Sequence, residues 1–301
     1  MRVLPSIQQI GIFFVATIEY QLTTYKFTFM SGKIGFYYFL LGVFGAMLAI
    51  EGCRPRKGDD VNPVTDSTAF APCILLSERI NDVLLRAYEY DTTRRLTRML
   101  EYSGTAQNNR IVKRYTFEYT PKGVLTQWRE TNLAQRDQSF IYEIDYTNRG
   151  LFDKIRAFRV FNSGPRIEDT LTFVYDDQDR ISQLKSKIRP SSTWEYDADN
   201  NVKKWLIRKP SSTTDSLAAE YSTYDNKVNL YSFSRGIQLV HLLTGKAPSR
   251  RNPLTYTIGG ENVEATYQYN DKGVPTQAVL KFRGPDNNLR ETVFTYSLNC
   301  R

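Results

Sequence analysis

Apolar and polar positions alternate along the chain in a way that predicts β-hairpins. In LTFVYDDQDRISQL, residues 171–184, an apolar run ends at Tyr175, a polar break follows, and the apolar pattern resumes at Ile181. Side chains of a β-strand alternate between its two faces, so the aromatic–x–Tyr spacing places two rings on one face. The polar break ends in a residue that tolerates a left-handed backbone. The pattern therefore predicts two antiparallel strands joined by a short loop of four or five residues.

The same pattern recurs along most of the chain. Its tyrosines are Tyr90, Tyr119, Tyr146, Tyr175, Tyr196, Tyr224, Tyr269 and Tyr296. Their successive spacings are 29, 27, 29, 21, 28, 45 and 27 residues. The late position of the polar break holds Gly123, Gly150 or Gly273 in three copies and Asp179 or Asn200 in two others. Repetition at this interval predicts a repeat architecture.

These copies predict an all-β fold, an antiparallel meander of roughly fourteen to sixteen strands. An open sheet of that size leaves two unpaired edges that favour aggregation, so we expect a strongly curved or closed, barrel-like sheet. A barrel that spans the outer membrane needs an uncharged outward face. Strands such as NRIVKRYTFEYT (residues 109–120) and DKIRAFRVF (153–161) carry charges in both registers. We therefore expect the sheet to lie in water, outside the bilayer.

The longest spacing, after Tyr224, contains a different kind of segment. It is compatible with one short amphipathic helix near residues 236–246. The apolar residues of that helix are Ile237, Val240, Leu242 and Leu243. One interpretation is a helix that caps one mouth of the barrel. The other is a recognition loop in which Arg250 and Arg251 bind an anionic ligand or a lipid head group.

The copies resemble YD repeats, the Tyr-Asp hairpin repeats of the Rhs and teneurin families, whose pattern is Tyr-Asp-x-x-Gly-Arg-Leu. The residues that match its Asp are Asp91, Asp176, Asp197 and Asp225. Arg180 and Ile181 match its end, whereas Thr120 and Thr147 replace the Asp. The resemblance covers about residues 73–301. It is closest to uncharacterised lipoproteins of Bacteroidetes with a porin-like β-fold, and it implies that fold. The toxin-enclosing shells of Rhs proteins need dozens of copies, so that role does not carry over.

The N-terminal part of the chain has the pattern of an export signal. Residues 34–50, IGFYYFLLGVFGAMLAI, are uncharged and apolar, follow Lys33 and precede Cys53. This order resembles that of bacterial lipoproteins, which implies that Cys53 is lipidated and becomes the first mature residue. The alternative is an uncleaved membrane anchor, because the apolar run lies at the short end of the length that spans a bilayer. Either alternative places residue 54 onward outside the cytoplasm, at the outer membrane, on the cell surface or facing the periplasm.

The predicted organisation has four parts. Residues 1–29 are an extension that precedes a more typical start at Met30, although Met1 remains the alternative start. Residues 30–52 are the signal peptide, and 53–71 are a flexible tether rich in Pro and Asp. Residues 72–301 are the β-hairpin repeat domain.

Two cysteines, Cys73 and Cys300, lie at the two ends of the repeat domain. Exported proteins keep disulfides, so the two either pair or are each a small buried apolar residue. Pairing requires the first and last strands to be neighbours. Because Cys-x-x-Cys is absent and His241 is the one histidine, we predict neither a metal site nor a cofactor.

Composition narrows the range of functions further. The formal net charge is +8, but its basic clusters are short, so we do not expect nucleic-acid binding. His241 sits among apolar residues and is expected to pack in the helix, and Ser-His or Cys-His catalysis would have no other histidine to use. Trp194 and Tyr196 either form a sugar-stacking wall or belong to the apolar core.

Two functional hypotheses follow. The first is a non-enzymatic lipoprotein of the cell envelope, held at the membrane by Cys53, that binds a glycan, a lipid or a protein or serves as a scaffold. The alternative is a carboxylate-dependent hydrolase of envelope carbohydrate. A pocket with two carboxylates away from the hairpin turns would favour the hydrolase.

Overall fold

The computed structural model describes residues 71–134, 138–283 and 288–301. The predicted extension (1–29), signal peptide (30–52) and lipidation site Cys53 lie outside the described residues, as does nearly all of the tether. The structure therefore bears on the predictions made for the repeat domain.

The described residues form sixteen β-strands, one 3₁₀-helix (Leu230–Phe233) and one α-helix, α1 (Arg235–Leu243). The strands are β1 (Cys73–Ile80), β2 (Val83–Tyr90), β3 (Leu96–Gly104), β4 (Asn109–Tyr119), β5 (Leu125–Asn132), β6 (Ser139–Tyr146), β7 (Phe152–Phe161), β8 (Gly164–Tyr175), β9 (Ile181–Lys185), β10 (Ser191–Tyr196), β11 (Val202–Arg208), β12 (Ser216–Val228), β13 (Arg251–Ile258), β14 (Glu261–Tyr269), β15 (Pro275–Arg283) and β16 (Leu289–Cys300).

Each strand pairs antiparallel with the next, and β1 closes the sheet against β16. This arrangement confirms the predicted antiparallel meander and its closure into a barrel. Closure pairs the backbone groups of the first and last strands, which would otherwise be bare edges. In the β1–β16 register Cys73 lies opposite Cys300, and the two form a disulfide with their Cα atoms 4.0 Å apart.

Six turns follow the repeat tyrosines at one end of the barrel, which we call the repeat-turn end. In the turn after Tyr175, one Asp176 carboxylate oxygen accepts the backbone N–H groups of Gln178 and Arg180. Asp179 has a φ of 60°, in the left-handed region. The corresponding left-handed residues of the other five turns are Arg94, Gly123, Gly150, Asn200 and Gly273. The polar break is therefore a self-bonded loop, as the pattern predicts.

The repeat tyrosines also join neighbouring hairpins, which the sequence pattern does not indicate. The Tyr175 hydroxyl donates to the backbone oxygen of Phe152, the first residue of the return strand in the preceding hairpin. Tyr196 donates in the same way to Ile181, the first residue of β9. Tyr119, Tyr146 and Tyr224 bond the preceding hairpin in the same way, whereas Tyr90, in the first copy, donates to Leu75 of β1. These hydrogen bonds connect adjacent hairpins around the repeat-turn end.

The copy at Tyr224 differs from the predicted hairpin. Strand β12 continues through Asp225 to Val228 instead of turning there, so this part of the repeat prediction is wrong. Asp225 nevertheless accepts the N–H of Lys227 and that of Asn252 across the intervening segment. Asn252 thereby takes the place of the fourth residue after the turn Asp in an ordinary copy. The helix-bearing segment is thus an insertion within a repeat turn.

Helix α1 occupies the barrel interior at the repeat-turn end. Ser234 caps it by accepting the N–H of Ile237. A Cβ atom on Gly236 would lie 3.0 Å from the Phe117 ring of β4 and 3.4 Å from Leu96 of β3, so helix and wall are in close contact. The helix residues that join the barrel core are Ile237, Leu239, Val240 and Leu242. The predicted helix near 236–246 is confirmed.

Candidate functional site

The outer wall of the barrel is polar and charged. Inward residues such as Met99 and Trp205 are buried, whereas their outward neighbours Arg98 and Lys204 are exposed or half-exposed. The outer face carries ion pairs between adjacent strands, including Arg98 with Glu89 at 2.9 Å. Further pairs of this kind are Arg156 with Glu143 and Lys204 with Glu220. The barrel therefore presents an outer surface that is suited to water.

A polar cluster lies inside the barrel beside helix α1. Glu78 of β1 is fully buried and accepts hydrogen bonds from the hydroxyls of Tyr88 and Tyr231. The Arg86 guanidinium lies 3.6 Å from the same carboxylate. Glu101, opposite Arg86 on β3, accepts the Tyr115 hydroxyl at 3.2 Å. Each buried charge thus has an opposite charge or a hydroxyl beside it.

Two basic groups from the inserted segment complete this cluster. The His241 ring packs edge-on against Tyr231, and Lys246 Nζ lies 4.6 Å from the centre of the same Tyr231 ring. Burial lowers the pKa of His241 well below its ordinary value, and the Lys246 charge adds to this effect. Burial, together with the Arg86 charge, lowers the pKa of Lys246 to about 8. His241 is therefore neutral at physiological pH and packs as predicted, and the cluster fastens the helix to the wall.

A second polar cluster lines the interior further along the barrel. Glu130 accepts the Tyr142 hydroxyl at 3.3 Å and lies 3.5 Å from Lys113 Nζ. Arg189 stacks over the Tyr142 ring at 5.6 Å and lies 3.6 Å from Asp169. Because these charges neutralise one another, this cluster supplies little net charge to a ligand.

The structure separates the aromatic residues predicted as a ligand wall. Trp194 is 2% exposed and belongs to the core, so its ring is closed to a sugar. Tyr196 is half-buried, covered by the Arg180 guanidinium at 4.5 Å, and its hydroxyl is bound to Ile181. Trp194 therefore belongs to the apolar core, and Tyr196 packs against that core.

The two predicted arginines lie at the repeat-turn end. Arg250 is exposed, and its backbone oxygen accepts the N–H of Asn229. Arg251 begins β13 and lies 3.9 Å from Asp199, in the turn that follows Tyr196. The structure therefore brings Arg251 near this repeat turn, but an acidic side chain already faces it.

The opposite end of the barrel, which we call the far end, carries a surface that sequence reasoning missed. Exposed apolar side chains project there from three consecutive hairpins, together with basic residues. We call this surface the basic rim. It consists of Phe161, Arg166, Ile167, Lys185, Lys187, Ile188, Lys209 and Leu217. The sequence feature that could have predicted this surface is an apolar residue next to a cation within or beside a turn. It occurs in the segments FNSGPRIED and SKIRPSS.

Two clefts on the described part of the barrel are shallow and open to solvent. One, of about 280 Å³, lies against β13 to β16 and contains a single carboxylate, Glu264. The other, of about 320 Å³, lies beside the disulfide, and its one carboxylate, Asp91, belongs to a repeat turn. Neither cleft holds the carboxylate pair that a hydrolase would require. Among the described helices, none has the length and apolar character needed to cross a bilayer.

Comparison with known proteins supports the fold. No family model and no curated protein matches the chain. A porin-like protein from Bacteroides uniformis superposes with a TM-score of 0.51 at 14% identity, over 77% of this chain and 98% of that one. A porin-like protein from Bacteroides vulgatus covers 75% of this chain and 99% of that one, at 15% identity and a TM-score of 0.36. The first likeness shows that this chain shares the porin-like barrel fold, and the second is too distant to carry an argument.

Proposed function

We propose that this protein is a lipoprotein of the cell envelope whose barrel is a binding or scaffold module rather than a pore. The lipobox-like order before Cys53 supports the anchor. The Cys73–Cys300 disulfide fits an oxidising compartment outside the cytoplasm. The porin-like barrel fold, shared with a Bacteroides protein, fits an envelope setting as well.

The outer wall supports a position in water. A membrane barrel presents an apolar band to lipid, and a charged side chain at its midplane costs about 2–4 kcal/mol. The outward positions here carry ion pairs such as Arg98–Glu89 and Lys204–Glu220. Both pairs would lose their water in a bilayer, so we place the barrel beside the membrane.

The interior supports a module without a channel. Trp128, Met99 and Ile155 project inward from separate strands and are buried, with the helix residue Leu239 in the same core. This packed interior is the observation that carries the proposal, because a filled barrel can act only through its surface. Helix α1 fills the interior at the repeat-turn end, and the ion pairs of the second polar cluster lie further along it. The rims and loops are therefore the surfaces that can bind a partner.

The repeated turns support kinship with YD-repeat proteins. Asp91, Asp176 and Asp197 each accept backbone N–H groups two and four residues later, so one local geometry recurs. Six turns of one geometry on one rim are what an ancestral hairpin repeat would leave.

The proposal is tested by probing a glycan and lipid array with residues 54–301. We expect retention on a defined class of glycan or lipid, without turnover of it. Silence on every feature would leave a protein scaffold as the role. Cleavage of an arrayed carbohydrate would overturn the proposal in favour of the hydrolase, which the single carboxylates of the two clefts do not favour.

A further inference from the structure

Apolar side chains at the far end are exposed in the turns or in the strand residues next to them. Phe161 is 45% exposed at the β7–β8 turn and Ile188 is 49% exposed at the β9–β10 turn. Ile167 and Leu217, near the starts of β8 and β12, are 60% and 53% exposed. Single exposed apolar residues are ordinary on soluble proteins, but here four of them lie on three consecutive hairpins of one rim.

Cations accompany these apolar residues. Lys185, Lys187 and Lys209 are exposed and form no ion pair within the described ranges. Arg166 donates to the Ser163 hydroxyl and lies over the Phe161 ring at 5.6 Å, and no carboxylate pairs with it in the part of the chain that the structure describes. The acidic residues beside these turns are Glu168, Asp169 and Asp215, and they are already paired with Arg159, Arg189 and Arg208, respectively. The rim therefore has an excess of positive charge.

This combination fits a lipid surface better than a protein surface. Apolar side chains in or beside separate turns can each enter the boundary between head groups and acyl chains without a matching groove. Lysines beside them contact anionic head groups, at about 1 kcal/mol each near the surface. A protein partner would instead need a complementary surface for a set of convex turns.

We propose that the basic rim docks the barrel onto a bilayer surface that bears anionic head groups. The inference rests on the proposed function, since it names the lipid class that an envelope module of this kind would contact. Docking would place the rim at the membrane in addition to any tether at Cys53. The two attachments lie on different parts of the chain and can be measured separately.

The test introduces a fluorescent reporter at the rim of the full chain. The native tryptophans Trp128, Trp194 and Trp205 are buried, so they give a constant background. In the variant Ile188→Trp, lipid with brominated acyl chains should quench the new tryptophan when vesicles contain phosphatidylglycerol, but not with phosphatidylcholine alone. The matched control is Glu195→Trp, exposed near the other end of the same hairpin, which should not be quenched in either vesicle. The signal is local, so insertion of residues 34–50 cannot produce it.

Charge reversal checks the mechanism. Adding Lys185→Glu and Lys187→Glu to the Ile188→Trp chain should raise the lipid concentration for half-maximal quenching by about fivefold or more per lysine. Equal quenching in both kinds of vesicle, or no quenching in either, would overturn the inference. An emission shift of the new tryptophan with soluble polyglutamate alone would also overturn it, because that result would indicate an acidic protein partner. If the vesicles do not quench the new tryptophan but residues 54–301 still bind a feature of the glycan and lipid array, the proposed binding module stands without this membrane contact.

Discussion

At the scale of single residues, the repeat depends on two side chains with different tasks. The turn Asp shapes its own loop: burial alone would raise the pKa of Asp176, but the N–H groups of Arg180 and Gln178 and the Arg180 side chain outweigh it and lower that pKa. The contribution of Asp176 to stability is thus present above its unfolded pKa and is lost as the pH falls through the folded one. The tyrosine acts over a longer distance, because its hydroxyl reaches the backbone of the preceding hairpin.

Removing one tyrosine hydroxyl should measure this bond. In Tyr175→Phe the Phe152 carbonyl loses its 2.9 Å donor, and we expect the free energy of unfolding to fall by about 1–2 kcal/mol. The matched control is Tyr221→Phe, because the Tyr221 hydroxyl has no hydrogen-bond partner in the described residues, and its removal should change little. Urea unfolding followed by circular dichroism gives both values. Equal losses in the two variants would show that the inter-hairpin bond adds no stability.

At the scale of elements, one repeat turn accommodates a helix-bearing insertion while keeping its bonding pattern. The Asp225 carboxylate accepts the backbone N–H groups of Lys227 and Asn252. In an ordinary turn the Asp accepts the N–H groups of the residues two and four places later. The Asn252 amide nitrogen adds a further bond to the Asp225 carboxylate. The bonding of the turn Asp is therefore retained, although the β12–β13 pairing shifts register three times between Tyr221 and Val228. The helix fills the space that the wall encloses.

The fit of that helix predicts a size limit at Gly236. Gly236→Val would press its side chain against the Phe117 ring and Leu96, and we expect a loss of about 1–3 kcal/mol in unfolding free energy. Gln238→Val is the control on the same helix, half-exposed, where the change removes one bond to the Ser232 carbonyl and should cost about 1 kcal/mol. Thermal unfolding of both variants compares them. A Gly236→Val protein as stable as the unchanged protein would mean that the helix does not pack against β3 and β4.

At the scale of the whole molecule, closure buries an unusual number of phenols. Burial raises the pKa of Tyr88, Tyr115 and Tyr231 well above the ordinary value, and neighbouring carboxylates add to the effect. Tyr221 and Tyr256, on β12 and β13, show the same direction of shift, caused chiefly by burial. The interior is thus lined with hydroxyls that stay protonated as long as the barrel is folded.

This burial sets an alkaline limit to stability. A phenol whose folded pKa lies above its unfolded value of about 10 stabilises the fold fully below that pH and loses the contribution as the pH rises. We expect tyrosinate absorbance to rise in two phases, the exposed tyrosines first and the buried ones together with loss of circular dichroism. Ionisation of all twenty tyrosines in one early phase, with the barrel still folded, would contradict the buried network.

The hairpins, the meander and the position of the helix could be predicted from the amino-acid pattern alone. These features depend on local chemistry: period-two alternation, a turn Asp that bonds its own loop, and a left-handed position at Gly123 or Asp179. The expectation of closure followed from the number of strands, since so many strands cannot leave their edges bare. The turn after Tyr224 was mispredicted because its fourth residue, Asn252, comes from beyond the insertion.

Which side chains meet depends on the closed barrel and could not be predicted from the local pattern. Glu78 lies far along the chain from Tyr231 and His241, and their cluster exists only because the barrel closes around the inserted helix. Trp194 and Lys185 each occupy an ordinary strand position in the sequence, but the sheet's curvature buries the first and leaves the second on an exposed rim. Alternation gives the two faces of each strand, whereas which face is enclosed and which turns form one surface depend on how all sixteen strands close.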